Sequence, residues 1–182
     1  MFKALVILAD GFEDVEAVAP IDILRRGGVH VDVASLDPSR GAPVSAHGLA
    51  VAADGPLSAF AQNDYDAIIL PGGGKGTENL RASAEVAALL RRQKEAGRWI
   101  CAICAAPSVL AAADVLGDAR YTCYPGVESL VGRPAEDAAT VVDGRIITAR
   151  GPGAAFDFGF EILRRAVSAE AARKVAEGML AV

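Results

Sequence analysis

A mostly parallel β-sheet covered by helices on both faces is the fold class this sequence predicts. Three observations carry it. Short apolar runs alternate with helix-like stretches along all 182 residues, the signature of successive βα units. The runs are close to continuously apolar, as strands buried on both faces require. Hydrophobic residues reach 52% while aromatics stay at 5%, so the core is built from Ala, Val, Leu and Ile. The length suits one domain over residues 1–182, with no internal repeat, linker or low-complexity segment.

Taken in order, Ala4–Ala9 reads as a buried strand, and Asp14–Arg26 as a helix stopped by Gly27-Gly28. Val29–Ser35 is the second strand. Val44–Ala46 and Leu49–Ala53 flank His47-Gly48 as a small hairpin. Ala67–Leu70 is a third buried strand, ending in Pro71-Gly72-Gly73-Gly74. Helical patterns cover Thr77–Ala96 in up to two pieces. Trp99–Ile103 is the fourth strand, with a helix over Ala105–Ala113 behind it. Tyr121–Cys123 reads as a short strand. Ala139–Val142 and Arg145–Ala149 flank Asp143-Gly144, a hairpin signal. After Arg150-Gly151-Pro152-Gly153 comes a helix with Phe156, Phe160, Leu163 and Val167 on one face, and Ala169–Leu180 forms the last helix.

Net charge of −5 and an isoelectric point near 5.0 argue against nucleic acid or an anionic membrane as partner. Met1–Ala9 is too short to span a bilayer, lacks a cationic leader and runs into Asp10. Three cysteines without framework spacing fit a reducing compartment. The expectation is a cytoplasmic protein.

In a parallel sheet, sites form outside the carboxyl ends of the strands where the strand order reverses. Three loops are expected to meet there: Gly11–Glu16, Pro71–Gly74 and the turn at Cys104. Cys104 ends a buried strand, and Ala105-Ala106-Pro107 lead into a helix, the pattern of a nucleophile elbow. A helix N-terminus beside it favours the thiolate. The alternative is a buried cysteine acting as a small apolar residue. Glu16 lies early in the first helix with Pro20 four residues on. A proline there cannot give an N–H to the Glu16 carbonyl and costs ~3 kcal/mol, so a kink or an irregular first turn is expected, and a helix broken there can tip Glu16 toward the strand ends. In a dry pocket beside a thiolate, its pKa rises and it becomes a proton donor and acceptor.

The run Gly72-Gly73-Gly74-Lys75-Gly76-Thr77 fails as a Walker A loop, because Gly follows the lysine, and as a dinucleotide fingerprint, because Thr77 replaces the last glycine. It is either a tight turn or a close backbone approach to a small ligand, with the Gly73 and Ala105 N–H groups as oxyanion donors. Cys101 and Cys104 spell C-x-x-C, but about 10 Å of extended chain between them excludes a disulfide. Cys123 is best read as a packed strand-end thiol, and His30 as a structural strand residue. His47 at a hairpin tip is either an ordinary loop histidine or one that reaches the pocket or a partner subunit. Asp22 and Arg26 sit i, i+4 on the apolar stripe of the first helix, as a simple helix pair or as charges buried at a subunit interface.

Together, Ala4–Ala9, Glu13-Asp14-Val15-Glu16, Leu70-Pro71-Gly72-Gly73, Ala102–Pro107 and Arg150-Gly151-Pro152-Gly153 resemble the ThiJ/PfpI superfamily over essentially the whole chain. The likeness is to the branch of the parkinsonism-associated protein deglycase and its bacterial glutathione-independent glyoxalase relatives. The resemblance implies a flavodoxin-like three-layer sandwich and a homodimer with the site near its interface. It implies Cys104 as nucleophile, Glu16 as its carboxylic partner, and Gly73 and Ala105 as oxyanion donors. Gly72, Tyr124 and His47 complete the expected substrate-binding set, with Asp22, Arg26 and Arg150 in support. Two departures stand out. The peptidase branch carries histidine directly after the nucleophile, where this chain has Ala105. Some deglycase-branch members carry histidine where Tyr124 stands, and His47 takes a place where relatives often have arginine.

The function expected on these grounds is conversion of methylglyoxal or glyoxal to a hydroxy acid, or removal of early glyoxal adducts, without metal, cofactor or glutathione. A redox-responsive protective protein using the same cysteine, as oxidation sensor or chaperone, is the alternative. Peptide hydrolysis ranks below both for want of an imidazole.

Overall fold

A computed structural model describes residues 1–181. Its centre is a seven-stranded sheet in the order β3-β2-β1-β4-β5-β7-β6. The strands are β1 (Lys3–Leu8), β2 (His30–Ser35), β3 (Gly55–Pro56), β4 (Ala67–Leu70), β5 (Trp99–Ile103), β6 (Thr140–Asp143) and β7 (Ile146–Ala149). All neighbours pair in parallel except β6 and β7, which form the hairpin that Asp143-Gly144 turns. Strand order reverses between β1 and β4, whose registers run Ala4↔Ala67 to Val6↔Ile69. The expected α/β sandwich is the observed one.

Side-chain alternation on β1 divides the core in two. Ala4, Val6 and Leu8 face α1 (Asp14–Arg26), α7 (Ala155–Ala166) and α8 (Ala169–Gly178). Leu5, Ile7 and Ala9 face the opposite layer: α2 (Leu57–Phe60), α3 (Gly74–Ala82), α4 (Ala84–Glu95) and α5 (Pro107–Ala112). A four-residue helix, α6 (Glu128–Val131), packs beside α5. Every β1 residue from Ala4 to Leu8 is at most 1% exposed, which is why the run carries no alternation in its sequence.

Several elements differ from their sequence reading. Helix α1 is not broken at Pro20; it runs unbroken from Asp14 to Arg26. A Cβ on Gly159 of α7 would lie 3.2 Å from the Pro20 Cα and 2.7 Å from the Ile23 Cδ1, so two helices in close contact offset the missing hydrogen bond. Tyr121–Cys123 is not a strand, because Thr122 bonds to the Thr148 hydroxyl and the Ala138 carbonyl instead of a ladder partner. The hairpin around His47-Gly48 shrinks to a single bridge, Val44↔Ala50. Its backbone bonds instead to the loop after β1, through Gly11 N–H to Val44 O and Ala46 N–H to Phe12 O. The glycine run contributes the first turn of α3, and α5 begins at Pro107 rather than Ala105. On α7 the buried face is Ala155, Phe158, Gly159, Ile162 and Leu163, so Phe156 and Val167 of the expected stripe stand largely exposed. Residues β3, α2 and α6 had no sequence signal long enough to read; Pro56 is tolerated because β3 is an edge strand.

Candidate active site

Three loops leave the carboxyl ends of β1, β4 and β5 and are bonded to one another. Glu13 N–H donates to Gly72 O at 3.1 Å, and Gly76 N–H to Gly11 O at 3.2 Å. The approach is too close for side chains: a Cβ on Gly73 would fall 2.3 Å from Gly11 O. Gly73 also sits at φ 92, a left-handed conformation that glycine adopts without steric cost.

Cys104 turns the chain from β5 toward α5 at φ 63. For a residue with a Cβ this costs of order 1–3 kcal/mol and persists only where neighbours impose it. Two bonds do so: Cys104 N–H to Ala149 O, and Tyr124 N–H to Cys104 O, each 2.9 Å. The thiol is thereby presented at the sheet edge, 9% exposed, where the Gly73 and Ala105 N–H groups favour its ionised form.

Glu16 comes from the first turn of α1 and has no exposed surface. Its Oε2 accepts the Gly72 N–H at 2.8 Å, and its Oε1 has no hydrogen-bond partner among the described residues. The carboxyl and the cysteine converge on Gly72, where a Cβ would lie 2.6 Å from Glu16 Oε2 and 2.7 Å from Cys104 Cβ. Burial lifts the Glu16 pKa to about 7, against the pull of the Cys104 thiol and the Gly72 N–H. Burial, reinforced by the Glu16 charge, pushes the Cys104 thiol up to about 12, and the Gly73 and Ala105 N–H groups offset only part of this. Burial and the carboxyl thus act against the thiolate, and the two N–H groups act for it. The helix expected to stabilise it starts two residues later, at Pro107, which has no N–H.

The structure thus brings Cys104, Glu16, Gly72, Gly73 and Ala105 together. Tyr124 joins them through its backbone. Its half-exposed ring lines a recess of about 360 Å³ with Arg150, Gly151 and Pro152, and Arg150 pairs with Asp137 at 3.2 Å. His47 is not drawn into this group. Its ring bonds to Asp14 Oδ2 at 2.6 Å and is 72% exposed. That hydrogen bond raises the His47 pKa. Burial works against Asp14, yet Ser45 and His47 together hold its pKa below the usual value. Asp22 and Arg26 pair with each other at 2.8 Å on the exposed side of α1, and Asp22 borders an apolar groove formed by Val15, Val18, Leu49, Phe156 and Met179.

Cys101 is fully buried and Cys123 nearly so, and all three cysteines are free. Among the described residues, ligand atoms of Glu13, Asp14 and His47 lie within 4.8 Å of one another, close enough to share a cation; Asp14 is already engaged by Ser45 and His47. Two contributors to the site escaped the sequence reading. Ala149 supplies the carbonyl that fixes Cys104, and nothing local marks it. Glu13 caps α1 through the Glu16 N–H, which the acid-x-x-Glu spacing of a capping box signals.

The DJ-1/PfpI family model matches residues 2–165. Protein dj-1beta of Drosophila melanogaster is 38% identical over 181 residues, covering 98% of this chain and 96% of that one. Its crystal structure superposes with a TM-score of 0.94 at 37% identity, covering 98% and 97% of the two chains. Oxidised Toxoplasma gondii DJ-1 gives a TM-score of 0.94 at 34% identity, covering 99% and 98%. Deglycase PYRAB04690 of Pyrococcus abyssi is 33% identical over 154 residues, covering 83% of this chain and 91% of that one. Among the described residues, no helix is long and apolar enough to cross a membrane.

Proposed function

The chain belongs to the DJ-1/PfpI family, and from that premise we propose that it is a cysteine-dependent enzyme acting on small α-oxoaldehydes such as methylglyoxal and glyoxal. The observation that carries the reading is the strained Cys104 elbow closed over a buried, proton-accepting Glu16. As the sulfur adds to the aldehyde carbon, the thiol proton passes to the Glu16 carboxylate and the S–C bond forms. The oxygen becomes an oxyanion held by the Gly73 and Ala105 N–H groups, takes up a proton, and leaves a hemithioacetal. Glu16 then moves a proton from the former aldehyde carbon to its neighbour through an enediol. The first carbon is oxidised to a thioester and the second reduced to an alcohol, so no outside oxidant is consumed. Water releases lactate from methylglyoxal or glycolate from glyoxal. A group with a pKa of about 7 suits both directions of transfer at neutral pH. Hydrolysis of early glyoxal adducts on proteins would draw on the same groups, and the Pyrococcus relative is called a deglycase.

Lactate formed from methylglyoxal alone, lost in Cys104→Ala, tests the proposal; no lactate above that control overturns it. One observation favours a second reading, a redox-responsive protein. Two N–H groups that favour the ionised sulfur and an unpartnered Glu16 Oε1 would also hold oxygens added to it, and one close structural relative was solved oxidised. Slow or absent turnover together with stoichiometric sulfinate formation at Cys104 under peroxide supports that reading. Peptide cleavage is disfavoured, since neither Ala105 nor Tyr124 supplies an imidazole and His47 is tied to Asp14. For the homodimer, the exposed apolar groove on α1, with Val15 and Val18 both 42% exposed, is the face we assign to a second copy.

A further inference from the structure

Glu13 takes no part in the reaction just described, yet the hydrogen bonds that locate Glu16 pass through it. Its carboxylate accepts the Glu16 N–H at 2.8 Å and closes the first turn of α1. Its own N–H donates to the Gly72 carbonyl at 3.1 Å. The Gly72 N–H in turn donates to Glu16 Oε2 at 2.8 Å. The three bonds form a ring through Glu13, Gly72 and Glu16 that joins the loop after β1 to the loop after β4.

We propose that Glu13 is a positioning residue, which through this ring holds the Glu16 carboxyl against Cys104 with Oε2 anchored and Oε1 as the oxygen that exchanges the proton. The ring leaves little slack. A Cβ on Gly73 would stand 2.7 Å from Glu13 N, and one on Gly72 would stand 2.6 Å from Glu16 Oε2. With Oε2 occupied by Gly72, the buried Oε1 has no hydrogen-bond partner among the described residues and is the oxygen left free to take a proton. Glu13 also acts through charge. The titratable groups acting on Glu16 are Cys104, from the turn after β5, and Glu13 itself; the loop after β4 contributes only the Gly72 N–H. Asp14, next in the chain, is engaged by Ser45 and His47. The Glu13 charge opposes ionisation of Glu16 and so adds to the effect of burial.

The inference rests on the proposed role of Glu16, and two variants with two readouts keep their fates separate. Glu13→Gln retains an acceptor for the Glu16 N–H but removes the charge; Glu13→Ala removes both. With methylglyoxal as substrate, Glu13→Ala is expected to lower kcat about tenfold or more at little change in KM, as loss of positioning does. Glu13→Gln is expected to restore kcat to within about threefold, with the Glu16 limb of the pH–rate profile displaced by roughly half a unit to lower pH. The second readout needs no turnover: the pH dependence of Cys104 alkylation by iodoacetamide, with Glu16→Gln as the reference that lacks the carboxyl inflection. Glu13→Gln should lower that inflection by the same amount, and Glu13→Ala should broaden or abolish it. Wild-type kcat and alkylation profiles in Glu13→Ala overturn the proposal. So does a Glu13→Gln enzyme with an unshifted inflection, which decides the matter even where circular dichroism shows the alanine variant to be unfolded. If wild-type protein makes no lactate but the alkylation profiles move as stated, Glu13 keeps its role and the enzymatic reading falls.

Discussion

Adding one methyl group at Gly72 is the most direct perturbation of the site, because both reacting groups lie where it would go. The Cβ of Gly72→Ala would stand 2.6 Å from Glu16 Oε2, 2.7 Å from Cys104 Cβ and 3.0 Å from Ile103 O. Ordinary contacts of this kind begin near 3.4 Å, so two of the three neighbours must each retreat by somewhat under 1 Å. Ile103 is in β5 and 0% exposed, so it cannot move. The strain falls on the Cys104 elbow, already at φ 63, and on the 2.8 Å bond between Gly72 N–H and Glu16. Overpacking of this size costs about 1–3 kcal/mol. Loss of a buried hydrogen bond to a charged group adds roughly 1.5–3 kcal/mol. The sum, about 2.5–6 kcal/mol, is a large share of a typical stability of about 5–15 kcal/mol. Misplacement of reacting groups by about 1 Å also costs roughly a hundredfold in rate.

Gly74→Ala, two residues away, is the matched control. No atom lies within 4 Å of its added Cβ, and as the first residue of α3 it should leave stability unchanged or slightly improved. Urea denaturation and lactate formation from methylglyoxal are to be measured on both. Gly72→Ala should lose stability and fall at least a hundredfold in activity, while Gly74→Ala keeps both. Full activity in Gly72→Ala would refute the convergence of Glu16 and Cys104 as the working geometry. Loss of stability with activity intact would confine that geometry to folding.

Four further outcomes follow from the same coordinates. Glu16→Gln should slow turnover by about 10²–10⁴-fold, the usual contribution of a general acid–base group, measured as lactate release. It should also change the pH dependence of stability. The Glu16 pKa rises from 4.5 to about 7 on folding, so the native state holds its proton more tightly than the unfolded chain. Its contribution is intact below pH 4.5 and lost as pH climbs through about 7, an effect of order 3 kcal/mol that the Gln variant should lack in urea melts. For His47, whose pKa is raised by Asp14, the pairing is present at acid pH and fades as pH passes its folded-state pKa; Asp14→Asn should bring the NMR titration of the ring back toward its ordinary value. Gly159→Ala places a Cβ 2.7 Å from Ile23 Cδ1 and 3.2 Å from Pro20 Cα, and should lower stability by about 1–3 kcal/mol by prising α7 from α1. Val18→Glu, within the apolar groove, should shift sedimentation from dimer toward monomer.

How much of this was legible in the chain depends on the range of the physics involved. β4 and β5 were readable to the residue, since four or five consecutive apolar residues bounded by glycine, proline or charge have few other places to go. The Cys104 elbow was readable for a similar reason: a strand ending on small residues and a proline leaves one kind of turn. The continuity of helix α1 through Pro20 was not legible, because the cost of a proline is local while its compensation, the face of α7 at Gly159, lies about 140 residues away. The surroundings of the Cys104 thiol are likewise set at long range. Sequence placed a helix N-terminus beside Cys104 and so suggested a low pKa. The sulfur's actual surroundings are set by three loops folding over it and by a carboxyl from the far end of the sheet edge. Burial and that carboxyl both oppose ionisation, and they outweigh two N–H groups. Since the Glu16 carboxyl raises the Cys104 pKa, Glu16→Gln should move the pH profile of Cys104 alkylation to lower pH and speed alkylation at neutral pH; an unmoved profile would show that the carboxyl does not act on the sulfur.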